Sequence, residues 1–352
     1  MPSQTDILNA LFAAASGIGP GGDVWGPFLE LLGRETRAGL VTLQLDRQGL
    51  PTQHWRWRHS ETGAVPAPLS PTDLTRMRSH RIYNQDDLPA ETALPGALRA
   101  MKAPLGTGGA GGAAVVTLYR TGEDFRAIDG MQLSALAPYL APAMTTWVAL
   151  TGERQRARLG QDMLRDLGAG WMMLSAHGLL LDIDPGLRAP LTQIGGVRVA
   201  PDGWLGFRDE TTAQAFRQAL SAALSEAGAG RASFAVRLSD APLMELRITA
   251  KDQPQQPGAP LLIGWVRYAQ AAADLPLSHV ISQFGLSRSE ARLAVLLCDG
   301  HSLSEAARQL GWTIETARST SKQVFARMGV RGQTGVIRRM QSGALWLGVS
   351  GR

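Results

Sequence analysis

Residues 302–330, SLSEAARQLGWTIETARSTSKQVFARMGV, leave the backbone little choice. Ser302 followed three residues later by Glu305 is a capping box, so a helix starts there. Ala306, Ala307 and Leu310 follow at helical spacing, and Gly311 stops the helix. Thr313 caps a second helix that runs through Met328. Its two faces separate by residue type. Ala317, Ser321, Val324 and Met328 form an inward stripe at three-and-four spacing, while Glu315, Arg318, Ser319, Lys322 and Ala326 point the other way.

A short helix, a tight turn and a second helix with cations and hydroxyls outward describe a helix-turn-helix. Such a second helix fits the major groove of double-stranded DNA, where Arg and Lys donate to guanine edges. The charge distribution points the same way. Between Leu286 and Gly343 nine cations face four anions; Arg352 adds one more, and the whole chain is +5, so the first 285 residues carry net −1. Basic character is therefore concentrated where a polyanion would bind.

The same segment resembles the LuxR/NarL-type helix-turn-helix of bacterial transcription regulators. LSRSEARLAVL, from Leu286 to Leu296, is similar to that family's LTxRExxVL start, with Glu290 at the acidic position. GHSLSEAARQLG resembles GxSNKEIAxxLG, and TIETARSTSKQVFARMGV resembles SxxTVKxHxxxIxxKLGV. Leu303, Trp312, Ala317 and Thr320 depart from the family's usual Asn, Ile or Val, Val and His. Arg331-Gly332-Gln333-Thr334 resembles the basic linker before a fourth helix. The resemblance implies base-edge contacts from Arg318, Ser319 and Lys322. Thr313 and Thr316 stand where helix-start hydroxyls and backbone N–H groups hold phosphate. Ser302, Arg327 and Arg331 are further phosphate candidates. A domain this small implies a homodimer reading two half-sites, with RNA polymerase as a further partner.

Upstream, 352 residues with 44% hydrophobic content predict a globular chain of two or three domains. Cys298 has no partner for a disulfide and falls on the inward side of its helix, as a buried thiol. No uninterrupted apolar run reaches the ~20 residues of a bilayer span, and MPSQTDILNALF lacks the basic start of a secretory signal. The expectation is a cytoplasmic protein with no membrane partner.

Alternation predicts strands at LVTLQLD (40–46) and HWRWRHS (54–60), with Trp55 and Trp57 on one side and His54, Arg56 and Arg58 on the other. Further strands are expected at 102–105 and 113–120, joined by the glycine tract 106–112. That tract lacks the GxxxxGK[ST] ending of a phosphate loop and reads as a hairpin loop. VVTLYR…F…D…L..LAPYL resembles the end of a GAF-like sensor domain. Pro138 and Pro142 are expected to bend the helix that follows, and 151–167 forms an amphipathic connector with Leu159, Met163 and Leu167 along one face. Two strands (WMMLS, LLLDID), a helical middle at 211–226 and three closing strands (SFAVRLS, MELRITA, LLIGWVRY) resemble a PAS-like domain, with Asp184-Pro185 where that family often has Asn. The expected architecture is multidomain α+β: a GAF-like sensory domain at 1–150, a connecting helix at 151–168, a PAS-like domain at 169–270, and an all-α four-helix LuxR-type helix-turn-helix domain at 278–345.

Several chemistries lack their residues. None of the six histidines forms HExxH or a cluster with Cys or carboxylates, so neither a metal nor another cofactor is expected. No GxSxG elbow appears. The acid pairs Asp86-Asp87 and Asp182/Asp184 fall at turns, where Asp belongs anyway. Trp55, Trp57, Trp171, Trp204 and Trp265 are candidates to line a small-molecule pocket in the sensor-like regions, against plain core filling. The expected function is a sequence-specific transcriptional regulator controlled by a small ligand. It is weighed against a protein-interaction regulator whose helix-turn-helix binds another protein, and against an enzyme fused to a DNA-binding domain.

Overall fold

The structure, a computed structural model, describes residues 3–59, 67–88, 96–106, 112–225, 233–251 and 261–349. It is mixed α and β, with antiparallel sheets, and divides into two compact units, Met1–Arg156 and Ala157–Arg352.

The first unit begins with α1 (Gln4–Ala15), opened by a capping box between Ser3 and Asp6. In α2 (Gly26–Thr36) the Asp23 carboxylate accepts the Gly26 N–H at 2.9 Å. Five antiparallel strands follow: β1 (Leu40–Asp46), β2 (Gln53–Arg58), β3 (Ile82–Asn84), β4 (Ala97–Leu105) and β5 (Gly112–Arg120), in the spatial order β2-β1-β5-β4-β3. Strand β3 and the first half of β4 were not expected. Short α3 (Pro71–Arg76), with its Ser70–Asp73 capping box, lies between β2 and β3.

Strand alternation sorts this sheet into two faces. Val41, Leu43 and Leu45 of β1 and Ala114, Val116 and Leu118 of β5 pack with α1, α2 and the following helix in the main core. Trp55 and Trp57 join this face, and Trp57 lies so close to Gly33 of α2 that a Cβ there would meet the indole at 2.2 Å. The opposite face packs Leu40, Leu98, Ala100, Val115 and Tyr119 beneath Leu69, Leu74 and Met77. Most of the glycine tract expected to join β4 and β5 lies outside the described residues, as does the 252–260 loop.

Helix α4 runs unbroken for 40 residues, Ala127–Asp166. It contains Pro138 and Pro142, so the connector expected from residue 151 is its last part. Leu133, Leu136, Leu140, Ala143 and Met144 are buried and hold the helix across the two backbone bonds the prolines remove. An 18-residue window of α4 has mean hydropathy 1.3, long and apolar enough to cross a membrane by length and composition, and 33% of that window is buried in the protein. No uninterrupted apolar run marks it in the sequence.

The second unit holds β6 (Ala169–Leu174), β7 (Leu180–Ile183), α5 (Arg188–Gln193), a small hairpin of β8 (Arg198–Val199) and β9 (Leu205–Gly206), α6 (Glu210–Ser225), β10 (Ser233–Asp240), β11 (Leu243–Lys251) and β12 (Leu261–Tyr268). The antiparallel order is β10-β11-β12-β6-β7. Phe216, Ala219, Leu220 and Ala223 of α6 cover the face that carries Met172, Leu174, Leu246, Ile248 and Leu262.

A second core in this unit belongs to five helices: α7 (Leu277–Phe284), α8 (Arg288–Cys298), α9 (Leu303–Leu310), α10 (Ile314–Met328) and α11 (Gly332–Ser342). No strand occurs there among the described residues. Two carboxylates, Asp166 buried and Asp299 exposed, fasten the bundle. Asp299 accepts the N–H groups of Ala272 and Ala273 at 2.5 and 3.1 Å, and Asp166 accepts that of Gly348 at 2.6 Å.

Candidate nucleic-acid interface

Ser302 caps α9: its hydroxyl accepts the Glu305 N–H, and the Glu305 carboxylate accepts the Ser302 N–H at 2.8 Å. These hydrogen bonds hold the Glu305 carboxyl below the usual carboxylate range. Gly311 closes α9 in the left-handed region, φ 70°, where a side chain would be strained. The Trp312 N–H returns to the Ala307 carbonyl at 2.8 Å, and Thr313 accepts the Thr316 N–H as the cap of α10. The join between the helices is thus fixed by backbone and capping bonds alone.

The faces of α10 fall as the residue pattern predicts. Ala317, Ser321, Val324 and Met328 are buried; Glu315, Thr316, Arg318, Ser319, Lys322 and Ala326 are exposed. Arg318, Ser319 and Lys322 sit at spacings of three and four and share one outward strip. Neither cation has an acidic partner among the described residues. Ser302, Thr313 and Arg331 are exposed as well. Thr313 and Thr316 stand at the α10 N-terminus with their hydroxyls 3.0 Å apart.

Arg327 differs. Its guanidinium pairs with Glu290 (Nε–Oε1 3.2 Å) and donates to the Gly285 carbonyl at 2.8 Å. Glu290 is only 3% exposed and is itself half of a capping box that opens α8 with Ser287. Arg327 therefore locks the end of α10 to the start of α8. Only the acidic partner's burial, invisible in a linear sequence, separates this residue from the free cations beside it. Trp312 is half-buried at the edge of the bundle core. Cys298 is buried, and burial together with Asp299 pushes its thiol up to about 11.

Among the described residues no group of three His, Cys, Asp or Glu side chains comes together to hold a metal ion. Cavities lie elsewhere among the described residues. One, about 360 Å³, opens on the first sheet beside Thr42, His54, Arg56, Thr117 and Tyr119. Another, about 450 Å³, lies between α6 and the β8–β9 hairpin, with Trp204, Phe207 and Phe216 on its wall. Of the tryptophans considered as pocket lining, Trp55 borders the first cavity and Trp204 the second. Trp57 packs in the core, and Trp171 and Trp265 face each other across β6 and β12. The sequence reading missed Thr42, Thr117 and Tyr119; their signal was three polar positions on one face of otherwise apolar strands.

No protein-family model matches the chain, and no curated protein sequence matches it. Solved structures similar to it include the Vibrio cholerae VqmA dimer without target DNA, from a study of LuxR-type receptors. It has 14% identity, covers 54% of this chain and 88% of that one, and has TM-score 0.23. The VqmA–ligand–DNA complex has 16% identity, 54% and 88% coverage, and TM-score 0.25. The E. coli DhaR(N)–DhaL complex has 10% identity, 75% and 87% coverage, and TM-score 0.29. With scores this low, none of them establishes the fold of this chain.

Proposed function

We propose that the chain is a sequence-specific DNA-binding transcriptional regulator of LuxR type, with α10 as its reading helix. The observation that carries this is the outward strip of α10. Arg318, Ser319 and Lys322 are exposed and lack acidic partners among the described residues, on a helix whose opposite stripe is buried and whose entry turn is fixed by capping. A helix of 15 residues, ~22 Å long, spans a major groove. Ser302, Thr313, Thr316 and Arg331 flank the strip as phosphate contacts. In this reading the protein acts in the cytoplasm as a homodimer, which places two such helices on two half-sites. Residues 1–150 and 169–270 are GAF-like and PAS-like sensory domains responding to a small ligand, and no catalytic step is involved.

Of the departures from the family pattern on these two helices, Leu303 and Ala317 turn toward the bundle core and Thr320 is half-buried. Their departures leave the outer strip unchanged, which favours DNA over a protein partner. The test is a gel-shift titration on the gene's own upstream region. Arg318→Ala and Lys322→Ala should each weaken that complex by ~1–3 kcal/mol and leave random-sequence binding unchanged. Equal loss on both DNAs would make them phosphate contacts, and no retention of the upstream fragment by the parent would remove the DNA reading of this region.

A further inference from the structure

We propose that the face of the first sheet turned away from α1, α2 and α4 binds a small organic carboxylate. The proposal deepens the reading of the first unit as a sensor and rests on it. Antiparallel register builds the site. Thr42 of β1 stands opposite Arg56 of β2 and Thr117 of β5, Gln44 opposite His54, and Leu40 opposite Tyr119. Alternation puts these side chains on one face, across from the face that carries Val41, Leu43, Trp55 and Trp57.

Polar groups in the middle of a sheet are costly to bury unless they are hydrogen-bonded. Gln44, 4% exposed, obeys this: its amide donates to the Leu69 carbonyl at 2.7 Å and accepts the Leu69 N–H at 2.9 Å. That double bond straps residues 67–69 over the sheet as an apolar wall. Thr117 and Tyr119 do not obey it. They are 5% and 7% exposed, yet neither hydroxyl has a hydrogen-bond partner among the described residues. Neither oxygen is sealed in; both residues line the cavity of about 360 Å³. Thr42 lines it with no side-chain partner either. The fold thus satisfies one buried polar side chain fully and leaves two others presented to a space of ligand size.

The electrostatics choose the ligand. Among the described residues Arg56 stands at the rim with no acidic partner, and none of those that line the cavity is a carboxylate. Partial desolvation lowers the pKa of His54, which favours an imidazole that adds a hydrogen bond over one that adds a charge. Burial raises that of Tyr119, so its phenol keeps its proton and donates. One guanidinium with hydroxyl donors and an apolar wall complements a monoanion with an apolar body. A phosphate dianion would bring a second charge that this site does not answer.

The test is calorimetric titration of the full chain with benzoate and phenylacetate, each against its neutral amide, and with phenyl phosphate. Saturable binding of a carboxylate is expected, with its amide about 10-fold to 100-fold weaker, the value of one charge-assisted hydrogen bond. Arg56→Gln, at an exposed position, should abolish that preference, and Tyr119→Phe should weaken the acid about fivefold. Four results would overturn the site: equal binding of acid and amide, tighter binding of phenyl phosphate, a preference that survives Arg56→Gln, or no heat from either acid at millimolar concentration. Operator binding is read separately by gel shift on the same samples. Intact DNA binding with no carboxylate binding removes this site and leaves the DNA reading standing. Carboxylate binding by a chain that retains no DNA does the reverse.

Discussion

Arg327→Ala separates two roles that look identical in the sequence, a phosphate contact and a structural lock. In the structure its guanidinium forms an ion pair with the Glu290 carboxylate and donates a hydrogen bond to the Gly285 carbonyl. Truncation leaves Glu290, 3% exposed, with the Ser287 N–H at 2.6 Å as its remaining hydrogen-bond donor. A fully buried pair broken on one side would cost ~3–5 kcal/mol. The Arg327 side chain is 55% exposed, so water screens much of that and replaces the lost donor in part. Together with the bond to Gly285, the expected loss is ~1–3 kcal/mol. It falls on the helix bundle alone, so the readout must be local: native-state hydrogen exchange of the α8 and α10 amides, which reports opening free energy segment by segment. DNA affinity should also be measured across a salt series. The lock predicts faster exchange in α8 and α10 with an unchanged slope of log K on log salt. Unchanged exchange with a slope reduced by about 0.9 would instead make Arg327 a phosphate contact and refute the lock.

The other predictions follow the same logic. Arg331→Ala, at an exposed site with no acidic partner among the described residues, should flatten the salt slope by about 0.9 with unchanged exchange, the mirror image of Arg327→Ala. Trp312→Ala should cost about 1–3 kcal/mol by the same exchange measurement, less than the ~3–5 of a fully buried ring, because the indole is half-buried. In the first unit, burial of Asp129 would raise its pKa. Hydrogen bonds from Arg126 and Arg120 outweigh that and hold it below the usual carboxylate range. A depressed folded pKa gives stability that is present above the unfolded pKa and lost as pH falls through the folded one. Tryptophan fluorescence should therefore show an acid transition of the Trp25–Trp55–Trp147 cluster that moves to higher pH in Arg126→Gln; an unmoved transition would mean Asp129 does not set it.

The helix-turn-helix was legible because its signals are local. Capping boxes, a stop glycine and a stripe at three-and-four spacing act within a turn or two of chain, and Ser302, Gly311, Thr313 and Val324 each do in the structure what their spacing implies. Most strands of both sheets were legible for the same reason, through alternation. Where the reading fell short, the missing information was non-local. Arg318 and Arg327 are alike in sequence, and only the buried Glu290, 37 positions before Arg327, tells them apart. Short β3 carries too few residues to alternate, and its pairing with β4 decides it.

The first sheet carries that distinction furthest. Alternation in HWRWR assigns Trp55 and Trp57 to one side and His54 and Arg56 to the other, and both assignments hold. It cannot say which side the helices will cover. Trp57 settles that by lying on Gly33, and α2 and α4 then close over the aromatic face. Among the described residues the other face is covered by Leu69, Leu74 and Met77, with the Gln44 hydrogen bonds fixing the strap at Leu69. The two indoles of the first sheet thus pack against the core, with Trp55 also reaching the cavity rim. The cavity opened instead over Thr42, Thr117 and Tyr119, where unsatisfied hydroxyls and one guanidinium define a binding chemistry that tryptophan content did not suggest.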